Sequence, residues 1–94
     1  MDLEVVLSSA CRRKILTYLS ENGHSNIMLL ILKINGKYPQ VNAELQILQK
    51  DEIIIDERIG RMRIIRLNKE NPNTVILLQA LKLLHSTGCR EKKK

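Results

Sequence analysis

Apolar residues at the start of the chain recur at helical spacing. Leu3, Val6, Leu7, Ala10, Cys11, Ile15, Tyr18 and Leu19 follow a repeat of about 3.6 residues, and Asn22-Gly23 supplies a stop. Ser8 and Ser9 sit inside this run. A short hydroxyl side chain accepts a hydrogen bond from a free N–H of a first helical turn, so the run divides into two helices, the second beginning near Ala10. Ser25 or Asn26 then caps a short helix from Ile27 to Ile34, which Asn35-Gly36 ends because both residues tolerate left-handed backbone. Pro39 suits the first turn of the next helix, where Val41, Leu45 and Leu48 keep i, i+4, i+7 spacing as far as Lys50.

The period changes after Lys50. Ile53-Ile54-Ile55 and Met62 to Leu67 are β-branched or apolar runs separated by charged residues with Gly60 between them, the pattern of a β-hairpin. Asn71-Pro72 opens a last helix, with Asn as the cap and Pro at the first helical position. That helix carries Val75, Leu77, Leu78, Leu81, Leu84 and His85 and is expected to end at Gly88. The expected order is therefore α-α-α-α-β-β-α, mainly α with a small β-hairpin. It forms one domain over residues 1–87, with a C-terminal dimerisation helix over about 71–87 and a basic tail at 88–94 too poor in apolar residues to pack. Two short helices joined by a Gly-containing turn, then a hairpin, are the outline of a winged helix-turn-helix.

Three segments carry a family resemblance. Leu7-Ser8-Ser9-Ala10-Cys11-Arg12-Arg13-Lys14-Ile15-Leu16 resembles the helix opening of ArsR-type winged-helix regulators. Val41 to Ile54 resembles their recognition helix running without a gap into the first wing strand, and Gly60 to Leu67 is similar to their second wing strand. The resemblance covers about residues 7–67. It implies a homodimer that sets two recognition helices in successive major grooves, with the terminal helices forming much of the dimer contact. Two departures stand out. Metal-sensing members place a Cys-containing ligand pair near the helix before recognition, whereas Ile27 to Ile34 holds no Cys, His, Asp or Glu. Where the family often has Arg and His in the recognition helix, this chain has Ala43 and Glu44, and no basic residue lies between Tyr38 and Gln49.

Charge modifies this picture only slightly. The formal net charge is +6, but the last five residues, Arg90 to Lys94, carry half of it. Cys11 and Cys89 have no neighbour at metal-ligand or redox spacing, which suits a reducing, cytoplasmic, nucleoid-associated setting. The first twenty residues hold no signal-peptide core, and Ile27 to Leu32 is far shorter than the roughly 20 apolar residues a bilayer span needs. No Gly-rich phosphate loop, paired carboxylates or nucleophile with a readable base is present. The chain therefore reads as a non-enzyme, with no cofactor, no metal and no membrane partner expected.

Binding of double-stranded DNA would draw on two groups of residues. With Val41, Leu45 and Leu48 inward, Pro39, Ala43, Gln46 and Lys50 face outward, flanked by Gln40 and Asn42. Gln and Asn can pair bidentately with the major-groove edge of adenine, so Gln40, Asn42, Ala43 and Gln46 form the candidate base-reading set. Lys37, Lys50, Arg58, Arg61 and Arg63 are the candidate phosphate contacts, three of them around the wing turn. Arg12, Arg13 and Lys14 form a second basic group that either touches phosphate or solvates its helix.

The apolar surplus of the third and last helices calls for a cover. Leu3, Val6, Met28, Leu29, Leu32, Leu77, Leu78, Leu81 and Leu84 are the candidate dimer interface, although a core closed within one chain remains open at this point. Two other functions stay alongside the DNA-binding regulator: a protein-interaction module that leaves the recognition helix unused, and a nonspecific chromatin-type DNA binder.

Overall fold

In the computed structural model the described residues are 3–92, with side chains described from Val6 to Leu83. Eight elements follow one another: α1 (Leu3–Ser8), α2 (Ala10–Asn22), β1 (His24–Asn26), α3 (Ile27–Ile34), α4 (Tyr38–Lys50), β2 (Ile54–Ile59), β3 (Met62–Leu67) and α5 (Pro72–Lys92). The expected order is present, with one strand added.

Local chemistry sets the helix ends. Ser9 Oγ accepts from the Arg12 N–H at 3.3 Å, which separates α2 from α1. Asn26 Oδ1 accepts from Leu29 N–H at 2.8 Å and caps α3. The Asn35-Gly36 pair divides its work in a way the sequence does not reveal. Asn35 takes the left-handed conformation, φ 57°, while Gly36 makes room: a Cβ there would stand 2.8 Å from Cγ2 of buried Val41. The turn between α3 and α4 is thus tight because the glycine lets the first turn of α4 close onto it.

The added strand, β1, is the polar tripeptide His24-Ser25-Asn26, which has no apolar alternation to announce it. It exists because β3 offers a free edge. The sheet runs β1-β3-β2, all antiparallel, with Ser25 opposite Ile65 and Asp56 opposite the same residue on the other side. Gly60-Arg61 closes the β2–β3 hairpin, and positive φ at Gly60, the first of the two loop positions, matches the twist of the strands.

The core is wholly aliphatic, joining Ile15, Leu16 and Leu19 of α2 to Leu30, Val41, Leu45, Leu48, Ile65 and Leu77. The start of α5 is fastened to the strand end of α4. Asn71 Nδ2 donates to the carbonyls of Glu52 at 2.9 Å and Asp51 at 3.2 Å, and buried Thr74 donates to the Ile53 carbonyl at 3.3 Å. Glu52 itself sits at φ 61°. A side chain in that region costs about 1–2 kcal/mol, part of which glycine returns as unfolded-state entropy. Glu52→Gly is therefore expected to stabilise the domain by about 0.5–1 kcal/mol, read as a higher urea midpoint with unchanged slope. An unchanged or lower midpoint would show that the Asn68 and Asn71 bonds to the Glu52 carbonyl already absorb the strain.

Two expectations change. The last helix does not stop at Gly88 but continues to Lys92, since a glycine inside a helix costs about 1 kcal/mol without ending it. Val6, Leu77 and Leu81, assigned from the sequence to a dimer interface, are only 2%, 0% and 7% exposed. They are covered within one chain and leave nothing for a second copy to bury. The reason lies in α5, where Val75-Ile76-Leu77-Leu78 gives no face by periodicity. Packing selects Thr74, Leu77 and Leu81, leaving Val75, Ile76 and Leu83 at the surface. Leu3 and Leu84 lie outside the described side chains.

Candidate nucleic-acid interface

The α4 helix presents its expected face. Val41, Leu45 and Leu48 are fully buried, while Pro39, Gln40, Ala43, Gln46 and Lys50 are exposed and Asn42 is half-buried on the flank. Pro at the first turn, where an N–H has no intrahelical partner, starts the helix without a side-chain cap. Ile47, 43% exposed, joins this face, a residue the polar pattern passes over.

Glu44 does not. Its carboxylate turns back to Arg12 of α2 in an ion pair whose side chains are 17% and 14% exposed. Arg13 donates to the Leu7 carbonyl. The second basic group is thereby largely structural: Arg12 ties α2 to α4 and Arg13 closes the α1–α2 joint. Burial beside this pair pushes the Cys11 thiol up, with the Glu44 carboxylate adding to the shift, so the sulfur is not an activated nucleophile.

The three arginines nearest the wing turn divide. Arg58 and Arg61 are exposed, and among the described residues neither has an ion-pair partner. Arg63, expected beside them as a phosphate contact, faces inward. Its Nε reaches both Asp56 oxygens at 3.1 Å, its Nη2 donates to Asp56 Oδ2 at 2.7 Å, and its Nη1 donates to the Tyr38 hydroxyl at 3.1 Å. The hairpin register explains this. Arg58 lies opposite Arg63 and Asp56 opposite Ile65, which makes Asp56 and Arg63 diagonal neighbours on one face. Neither Asp56 nor Tyr38 was singled out from sequence, although a two-residue loop at Gly60-Arg61 fixes the diagonal once it is assumed. Lys37 stands at the N-cap of α4, near the wing end, whereas Lys50 ends the 13-residue helix about 18 Å away along its axis.

No protein-family model matches the chain, and no curated protein matches it by sequence. Solved structures do. The chain superposes on the antimony-specific transcriptional repressor AntR with TM-score 0.81 at 23% identity, covering 98% of this chain and 78% of that one. For the transcriptional repressor BigR from Xylella fastidiosa the TM-score is 0.78 at 21% identity, over 90% and 81% of the two chains. The type III plasmid segregation protein TubR gives 0.65 at 22% identity, over 83% and 81%. The chain has a winged-helix fold.

Within that winged-helix frame α3 and α4 are the helix-turn-helix and β2–β3 the wing. Exposed apolar residues include Met28, Leu29 and Leu32 on α3, Ile59 and Met62 beside the wing turn, and Val75, Ile76 and Leu83 on α5, where Leu78 is half-buried against the core. Among the described residues no three metal-binding side chains cluster, and no helix is long and apolar enough to cross a membrane.

Proposed function

We propose that the chain is a sequence-specific, double-stranded DNA-binding transcriptional regulator acting as a homodimer. The observation that carries this reading is an exposed outer face of α4 whose start is tied, through the Arg63–Tyr38 hydrogen bond, to a wing with Arg58 and Arg61 exposed and without an ion-pair partner among the described residues. Gln40, Asn42, Ala43 and Gln46 read base edges in the major groove. Lys37, Arg58 and Arg61 supply backbone contacts near the start of α4, and Lys50 a separate one at its end. Because Glu44 is withdrawn into its pair with Arg12, it does not repel phosphate from this face.

The second copy follows from how little one α4 offers. A single 13-residue helix whose outer face carries one basic side chain, Lys50 at its end, makes too few contacts to select a site alone. Exposed Ile76 and Leu83, with half-buried Ala80 between them, follow i, i+4, i+7 along α5 and form a seam that a two-fold axis can pair with itself.

Selection from mixed genomic fragments at several salt concentrations, followed by sequencing of the bound pool, tests the reading. Enrichment of a palindromic site is expected. A dimer carries two wings, so Arg58→Ala/Arg61→Ala is expected to lower the slope of log K against log salt by about four and to weaken binding about 100-fold. No retention at low salt would favour the protein-interaction module, whose best support is the exposure of Met28 and Leu32 on α3, 66% and 72%. Retention without sequence preference would favour the nonspecific binder.

A further inference from the structure

A cleft of about 410 Å³ opens between the wing and the starts of α3 and α4, lined among others by Met28, Tyr38, Arg58, Arg61, Met62 and Arg63. Its polar side is more ordered than a set of loose arginines. Arg63 spends its Nε and Nη2 on both oxygens of Asp56, and the two side chains are only 16% and 9% exposed. A guanidinium neutralised by so sheltered a carboxylate contributes no net charge to the cleft.

Of the N–H groups that Arg63 does not spend on Asp56, one on Nη1 points at Tyr38 Oη, 3.1 Å away. A guanidinium has no acceptor, so the tyrosine oxygen must accept and its own proton must go elsewhere. Tyr38 is 48% exposed and lines the cleft together with Arg58 and Arg61. An O–H whose oxygen already accepts from a cation is polarised into a stronger donor. Its natural partner there is an anionic oxygen that Arg58 and Arg61 also attract.

Resting on the DNA-binding reading above, we propose that this cleft seats one phosphate of the DNA backbone, with Tyr38 Oη donating a hydrogen bond to it, Arg58 and Arg61 supplying charge, and Arg63 acting as a positioning residue. Asp56 holds Arg63, Arg63 aims Tyr38, and Tyr38 couples the wing to the start of the recognition helix. A phosphate seated there touches both elements at once and fixes how far α4 enters the groove.

The test is fluorescence anisotropy with the selected duplex at four salt concentrations, using the 94-residue chain as wild type, Tyr38→Phe, Arg61→Ala, Asp56→Asn/Arg63→Gln and the triple variant joining the first and third changes. The Asn/Gln pair removes both charges together, so neither is left alone. Tyr38→Phe is expected to weaken binding about five-fold with the salt slope unchanged, because a neutral donor releases no counterion. Arg61→Ala is expected to lower the slope by about two per dimer. Asp56→Asn/Arg63→Gln should weaken binding to a similar extent as Tyr38→Phe, leave the slope alone, and add little in the triple variant, the coupling expected when Arg63 works through Tyr38.

Binding by Tyr38→Phe equal to wild type would overturn the proposal while leaving DNA binding intact. So would a slope lowered by about two in the Asn/Gln variant, which would make Arg63 itself the phosphate ligand. Shifts of the cleft's amide resonances on titration with inorganic phosphate alone, at sub-millimolar concentration, would assign the cleft to a free anion instead. Failure of the wild type to hold any duplex at low salt would remove the DNA-binding reading and the phosphate seat with it.

Discussion

Ile76→Glu is expected to halve the mass of the protein in sedimentation equilibrium and to weaken binding to a palindromic site by about three orders of magnitude, down to the nonspecific level. The fold should tolerate the change, because Ile76 is 45% exposed and surface substitutions of this kind shift stability by about 0.5 kcal/mol or less. The dimer should not. In a two-fold seam the new carboxylate meets or neighbours its own copy in an apolar setting, and like charges there cost several kcal/mol. Against this, burial of Ile76 and Leu83 from each chain contributes roughly 1.5–3 kcal/mol per side chain before entropy losses. Ile76→Leu keeps the seam apolar and should retain both mass and affinity. A dimeric Ile76→Glu protein would move the interface elsewhere, with Met28, Leu29 and Leu32 of α3 as the next surface to change. A monomer that still binds the palindrome as tightly as wild type would show that pairing on α5 is not what selects the site.

What was legible in the sequence follows from which interactions are local. The capping residues Ser9, Asn26 and Asn71, the buried line Val41-Leu45-Leu48 and the Gly60 turn each act within a few residues, and the structure uses them as expected. The winged-helix outline came from adding such local pieces in order. Long-range choices were not legible. Arg12 and Glu44 are separated by 32 residues, so nothing in the spacing shows that one acid on α4 is neutralised by α2. The apolar run at the head of α5 has two usable faces, and only the tie of Thr74 to the Ile53 carbonyl shows which one turns inward.

The candidate site shows the same division. The outward face of α4 was readable because helical geometry alone separates it from the buried line. The role of Arg63 was not, because an arginine in a wing has the same composition whether it meets phosphate or Asp56. Register decides between these. A two-residue loop at Gly60-Arg61 sets Arg58 against Arg63, and the carboxylate of Asp56 then falls within reach on the same face.

Leu45→Ala and Gln46→Ala, adjacent on α4, are expected to fail in opposite ways. Leu45 is fully buried where α4 closes on the core, and truncation there removes about 3–4 kcal/mol as lost transfer energy plus an unfilled cavity. For a domain of this size that corresponds to a melting temperature lower by roughly 12–30 °C. Its DNA affinity should fall only as far as the unfolded fraction rises, since the outer face is untouched. Gln46 is exposed, so its truncation should move the melting temperature by no more than the few degrees that about 0.5 kcal/mol produces. It should instead relax base preference at one position of the selected site, worth about 1–3 kcal/mol of discrimination. Calorimetry and repeat selection on both variants read the two effects separately. A Gln46→Ala protein that selects an unchanged site with unchanged affinity would take Gln46 out of the base-reading set. A Leu45→Ala protein as stable as wild type would contradict the placement of α4 against the core, and with it the outward face on which the base-reading assignment depends.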